Sequence, residues 1–372
     1  MINKRRLIST FKKLVRIDSH SLNEGQIIRF IQRELKALGI RSFQAGRVRD
    51  GEVGNLIAEV PGRGIKKPRL LLNAHVDTVA PGEKVKPVVR HGYITSGGTT
   101  VLGADNKAGV AAILEVLRVL KQRNIKHPPL QVIFTVAEEI GLVGAKALPE
   151  KTLYADFGIT LDGGDIDKII YQAPSQYNLT AIIYGRAAHA GLRPEEGINA
   201  IRVASEAINK MKLGRIDHET TSNIGVIKGG KATNIVPDEV ELKGEARSHN
   251  FRKLKRQIEH MERTLVRTCS RNRARIKLRV ELVYRSFEVK KSERVLKLAA
   301  RAVKAVGIEP TLERTGGGSD ANIFNALGVP TIIMGVGADR VHTTQERIAV
   351  EDLVKGTAII LDLIREAAHE KA

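Results

Sequence analysis

His75 and Asp77 close a short apolar run, Arg69-Leu-Leu-Leu-Asn-Ala-His-Val-Asp-Thr78. Side chains two apart in an extended chain project from the same face. An imidazole and a carboxylate so placed at the end of a buried strand suit a metal site, where the carboxylate can hold the second ring nitrogen. Similar residues recur wherever another apolar run ends. Asp105 sits in the Gly103-Ala-Asp-Asn-Lys-Ala-Gly109 loop, Glu138 and Glu139 follow the run 130–137, Asp162 follows 157–161, and His342 follows 329–336 after a Gly337-Ala-Asp-Arg340 turn. One Asp at a strand end is usually a turn former or helix cap. Two imidazoles and several carboxylates at successive strand ends suit two divalent metals, each with one imidazole and carboxylate oxygens, bridged by one aspartate. Mixed nitrogen and oxygen donors favour zinc, with cobalt or manganese as substitutes. Adjacent residues of an extended segment point apart, so Glu139 can bind metal while Glu138 faces the metal-bound water as general base.

The elements that must hold these residues alternate along the chain. Asn23 followed by Gln26 reads as a helix start, with Ile27, Ile28, Ile31, Leu35 and Leu38 as the buried stripe and Gly39 as the stop. Residues 55–60, the Arg69 run, 130–137, 157–161 and 329–336 read as strands, and Ala112, Ile113, Val116, Leu117 and Leu120 mark a helix. Strands apolar on both faces and separated by helices predict an α/β catalytic domain, its central mixed, mostly parallel sheet flanked by helices. Ligands gather at the carboxyl ends of such strands. Between residues 174 and 287 the order becomes βαββαβ, that of a ferredoxin-like α+β domain. This predicts an inserted domain at 174–287 between two catalytic segments, 1–173 and 288–372.

Composition narrows the class. The chain has 372 residues and one cysteine, Cys269, which excludes a disulfide framework and argues against a thiolate metal site. No apolar run approaches the ~20 residues of a membrane span, and the basic first residues lack a secretory apolar core, so a cytoplasmic location is expected. Lys and Arg number 61 against 41 Asp and Glu, a net charge of +20. The densest basic stretch, 252–279, also carries Leu254, Ile258, Met261, Leu265 and Cys269 at helical spacing, so it reads as an amphipathic helix with a solvated cationic face. It lacks the interleaved aromatics of a nucleic-acid groove.

Taken together, His75-Val-Asp-Thr, Gly103-Ala-Asp-Asn-Lys-Ala-Gly, Ala137-Glu-Glu-Ile-Gly, Asp162-Gly-Gly and His342 resemble the motifs of the two-zinc metallopeptidases and amidohydrolases, the family that includes tripeptidase T, the aminoacylases and succinyl-diaminopimelate desuccinylase. The overall match is nearest the tripeptidase T-like branch. The resemblance implies that Asp105 bridges two zinc ions, with His75 and Asp162 completing one site and Glu139 and His342 the other. It further implies that Glu138 is the base, that Asp77 orients His75, and that the inserted domain is a lid that mediates a homodimer. In the lid, His189 resembles the histidine that stabilises the oxyanion, from its own or a partner subunit. Asn234 is either a turn former or a substrate-binding amide, and Arg247 either a surface cation or a fork for a substrate carboxylate. Gly317, Gly318 and Ser319, in Gly316-Gly-Gly-Ser-Asp-Ala321, form either an anion-friendly loop or a tight turn with an N-cap. Two departures bear on peptide length: Thr315-Gly316 precede this loop where tripeptidase T usually has arginine, and Ala190 follows His189 where it has proline. The implied activity is hydrolysis of small peptides by a tripeptide aminopeptidase-like enzyme with a dizinc-bound hydroxide. The alternatives are removal of an acyl group from an N-acyl amino acid and, in a different class, polyanion binding without catalysis.

Overall fold

The computed structural model describes residues 1–369. The chain divides into two compact units. The first comprises residues 1–172, 288–315 and the chain from Ser319 on; the second comprises Ala173–Phe287 with Gly316–Gly318.

The first unit is built on a mixed sheet. Its order begins Arg41–Arg47, Gly54–Val60, Leu130–Thr135, Leu70–His75, Phe157–Gly163, Thr331–Gly335 and Lys168–Ala173. The middle four strands, from Leu130–Thr135 to Thr331–Gly335, are mutually parallel, whereas Gly54–Val60 and Lys168–Ala173 join them antiparallel. The parallel strands are the near-continuous apolar runs of the sequence. Every residue of Leu70–His75, Leu130–Thr135 and Thr331–Gly335 is buried, as covering both faces of a sheet requires.

The helix Ala104–Gln122 packs on Leu70–His75 and against the helices Lys4–Val15 and Val350–His369. It is buried along almost its whole length, which forces its polar residues to find partners. Glu115 accepts from Arg6 Nε (2.7 Å) and Nη2 (2.8 Å), and Arg118 reaches Glu34 and Thr10. One helix begins later than its sequence signal suggests. Gly25–Ala37 starts two residues beyond Asn23, and Glu24 occupies the N-cap position without capping the helix. The Glu24 side chain is instead turned inward, toward the turn that carries Glu138.

The second unit orders its strands Gly214–Asp217, Thr220–Gly229, Glu239–Ser248, Ser175–Tyr184 and Arg275–Tyr284, all antiparallel. The last four have the ferredoxin-like arrangement, with Ala200–Lys210 and Phe251–Arg271 as the two helices. The short Gly214–Asp217 edge strand is an addition the sequence pattern does not reveal. Leu254, Ile258, Met261, Leu265 and Cys269 form the buried stripe of Phe251–Arg271, so the basic residues between them face outward. Gly318 also belongs to this unit. A Cβ at that position would lie 2.2 Å from the Tyr284 ring, so only glycine lets the loop pass. Among the described residues no helix is long and apolar enough to cross a membrane.

Candidate metal centre

The four parallel strands of the first unit deliver their polar residues at their carboxyl ends. His75 is the last residue of its strand, and Asp162 is the next-to-last residue of the strand Phe157–Gly163. Asp105 enters from the start of Ala104–Gln122, where the peptide between Asp105 and Asn106 is cis. Glu139 follows Leu130–Thr135, and His342 follows Thr331–Gly335.

These side chains converge. The Nε2 of His75 lies 3.1 Å from Asp105 Oδ1 and 3.5 Å from Asp162 Oδ1. The Nε2 of His342 lies 3.3 Å from Asp105 Oδ2 and 3.1 Å from Glu139 Oε1. Asp105 therefore turns one oxygen to each imidazole. Donor atoms of His75, Asp105 and Glu139 all lie within 4.8 Å of one another, close enough to share a cation. Imidazole nitrogen with carboxylate oxygen is a donor set for zinc, cobalt or manganese, and the residues fit such an ion.

The electrostatics point the same way. Burial works against a charge on His75, but hydrogen bonds with Asp105, Asp162 and Asp77 raise its pKa well above the ordinary value. Asp105 and Glu139 raise His342 to about 10. Burial lifts Asp162 to about 7, with Asp105 and Asp320 adding repulsion. So many carboxylates in one buried place call for positive charge.

Glu138 and Glu139 diverge, but not as neighbours on a strand. The strand stops at Thr135, and Ala137 adopts the left-handed conformation with φ 51°. The physical reason is that buried carboxylates replace the ladder. Glu24 Oε1 accepts the N–H of Ala137 (2.9 Å), while Asp77 Oδ1 and Oδ2 accept those of Glu138 (3.0 Å) and Glu139 (3.2 Å). Asp77 also accepts from Ser21 Oγ at 2.7 Å. Its carboxylate lies 3.4 Å from His75 Nδ1, while the Asp77 carbonyl is nearer that nitrogen at 3.1 Å. The residue expected to orient His75 thus also anchors the turn bearing Glu138. Burial raises the Glu138 pKa well above the ordinary carboxylate value, and repulsion from Asp162, Asp320 and Glu139 adds to this. A raised pKa makes the ionised carboxylate a stronger proton acceptor.

The remaining sequence candidates lie in the second unit or at its loop. Ala190 N–H donates to the Asn234 carbonyl at 2.9 Å, which brings the His189 and Asn234 segments together. His189 Nδ1 accepts from the N–H groups of Gly191 and Leu192, both at 3.2 Å. That leaves its proton on Nε2. Arg247 is engaged by Glu245, at 2.8 Å through Nε and 2.9 Å through Nη2, and by the Gly316 carbonyl at 3.3 Å. Ser319 is a helix cap. It is buried, its hydroxyl accepts from Ala321 N–H at 3.2 Å, and its own N–H is taken by Asn322.

Three buried acids escape sequence reasoning. Asp320 pairs with Thr135 beneath the site, Glu24 holds Ala137, and Glu346 holds the Asp105 loop. Only Glu346 carries a local signal, four residues beyond His342.

Glu24 makes one prediction possible. Burial raises its pKa to about 7, from 4.5. Below about 4.5 the group is protonated in both the folded and unfolded chain. Between about 4.5 and 7 only the folded chain keeps the proton, so its contribution to stability falls as pH rises through that window. Denaturant unfolding of chelated Glu24→Gln and parent protein should show the variant gaining relative stability from pH 4.5 to 7, then a plateau. A difference independent of pH would overturn this reading.

Comparison with known proteins places the chain. The model described as "Peptidase family M20/M25/M40" matches residues 71–366. The Bacillus subtilis protein YqjE is 41% identical over 371 residues, which cover 99% of this chain and 100% of YqjE. The crystal structure of a tripeptidase from Staphylococcus aureus superposes with a TM-score of 0.94 at 42% identity over 100% of both chains. That of the aminopeptidase PepT from Bacillus cereus gives 0.87 at 41% identity over 99% of both.

Proposed function

The chain belongs to peptidase family M20/M25/M40 and is a PepT-like, metal-dependent peptide hydrolase; from that premise we propose that it removes the amino-terminal residue from tripeptides. The observation that carries the reading is Asp105, whose two oxygens face two imidazoles at 3.1 and 3.3 Å. We assign one zinc ion to His75, Asp105 and Asp162 and a second to Asp105, Glu139 and His342, with cobalt or manganese as substitutes. When bound, such a pair supplies Lewis acidity to a carbonyl and acidifies water.

The chain's own residues do the rest. Glu138 takes the proton of the attacking water and returns it to the leaving amine. Asp77 accepts the peptide N–H of Glu138, which fixes the backbone from which that carboxylate projects. His189 presents Nε2–H to the oxyanion, and Asn234, on the adjoining segment, binds substrate. Arg247 would take the substrate carboxylate by exchanging it for Glu245. Gly317 and Gly318 contribute backbone to this end of the substrate, and Ser319 supports them through its helix cap. The second unit serves as a lid and as the contact of a homodimer. The enzyme acts in the cytoplasm on small peptides.

The test is a matched panel of free-amino tripeptides, dipeptides and N-acyl amino acids, given to zinc-loaded protein with and without chelator. Chelator-sensitive release of the first residue, fastest from tripeptides, is the expected result. Preference for N-acyl amino acids would replace this reading with deacylation, and no chelator-sensitive cleavage of any member would overturn it.

A further inference from the structure

Glu346 is 1% exposed and lies four residues beyond His342. Its Oε2 accepts the N–H groups of Leu102 (2.7 Å) and Gly103 (2.8 Å), and its Oε1 that of Asp105 (3.0 Å). All three donors belong to the turn that delivers Asp105, about which Gly103 adopts φ 73°. The turn opens the helix Ala104–Gln122, so its N–H groups have no partner within the helix, and a carboxylate there also meets the positive end of the helix dipole.

The other end of the clamp is equally fixed. Glu346 N–H donates to the Thr343 carbonyl at 3.1 Å, closing a tight turn just after His342. Thr343 Oγ1 donates to the Arg340 carbonyl at 2.7 Å and accepts from Gln345 N–H at 3.2 Å. The next residues, Arg347–Ala349, pair with Ala338–Asp339 on one side and Tyr93–Thr95 on the other. One side chain thus ties the Asp105 turn to the His342 turn, across more than 240 residues of sequence.

We propose that Glu346 is a positioning residue that sets the distance between Asp105 and His342, and through it the affinity of the ion they share. The proposal rests on the reading of those two residues as ligands. Helix capping alone would be satisfied by any acceptor for one or two N–H groups. Glu346 instead satisfies three, from the strand side of the His342 turn, with both of its oxygens engaged. Loss of one oxygen would let the Asp105 turn relax away from His342, and outer partners of metal ligands commonly alter affinity by about 10–100-fold.

The experiment uses the full chain as parent, Glu346→Gln and Glu346→Asp, each titrated with zinc against a competing chelator and with cobalt followed by visible absorption. In Glu346→Gln one acceptor becomes a donor facing a peptide N–H. The expected result is about 10–100-fold weaker binding of one ion with an altered cobalt spectrum, while the far-ultraviolet circular dichroism keeps its parent form. Glu346→Asp keeps the charge on a shorter arm and should fall between the two. If parent and Glu346→Gln bind both ions equally and give one cobalt spectrum, Glu346 is not a positioning residue. If the parent itself binds no ion, the ligand reading fails first, and the proposal with it. Should Glu346→Gln not fold, Glu346→Asp alone decides: parent affinity and spectrum overturn the proposal, and weakened binding supports it.

Discussion

Glu138→Gln is expected to lower kcat by about 10²–10⁴-fold, the range removed with a general base, while KM and zinc content stay near those of the parent. The physical ground is that this substitution changes only the acid–base group. The peptide N–H of Glu138 stays with Asp77 at 3.0 Å and that of Glu139 at 3.2 Å, so Glu139 keeps its place beside His342. The carboxylate itself is buried among Asp162, Asp320 and Glu139, which holds its pKa high enough to capture a proton and release it again. Glutamine fills the same space and cannot do either. The loss corresponds to roughly 3–5 kcal/mol of barrier. Steady-state kinetics with metal analysis on the same samples check it; a kcat within tenfold of the parent at full zinc content would remove Glu138 from the proton path.

Asp105→Ala is expected to have the larger effect on the metal. Both carboxylate oxygens disappear, one 3.1 Å from His75 Nε2 and one 3.3 Å from His342 Nε2, so each assigned site loses a ligand at once. The expected outcome is loss of at least one bound ion after dialysis and a fall in kcat/KM of about 10³-fold or more, comparable to deleting a principal electrostatic stabiliser. An independent readout is available in chelated protein. Asp105 is the first cause of the raised His342 pKa, so that pKa should fall from about 10 toward the ordinary histidine range. A histidine raised in this way stabilises the fold fully below about 6.5 and loses that contribution as pH rises through about 10. The variant should show a shallower slope, since Glu139 alone still raises the imidazole. Retention of both ions with parent activity would mean that Asp105 does not bridge.

Much of this site can be read directly from the chain, for a definite reason. His75, Asp162, Glu139 and His342 each end or follow a mostly apolar, buried strand, so strand pattern and chemistry coincide in sequence. The same holds for the second unit, where the βαββαβ order appears in the structure with the short Gly214–Asp217 strand added at one edge. What escapes is the set of groups that work by long-range capture of backbone. Glu24 lies 113 residues from Ala137, and Asn23 beside it offers the better helix cap by type, so pattern favours the wrong residue. The turn at Ala137 is hidden for a related reason. The carboxylates that hold its N–H groups, Glu24 and Asp77, are both far from it in sequence. Arg247 reads as a free fork until Glu245, two residues away on the same strand face, is seen to fill it.

The strand Thr331–Gly335 lies between Phe157–Gly163 and Lys168–Ala173, although it is the last of the three to be synthesised. On a ribosome adding about 5–20 residues per second, the two flanking strands wait on the order of 10–30 s for the one that joins them. Until then the edges it will join lack this partner, and open strand edges invite wrong pairing. His342 and Glu346 emerge only after that strand, so a growing chain holds the Asp105 turn before the side chain that accepts its N–H groups has been made.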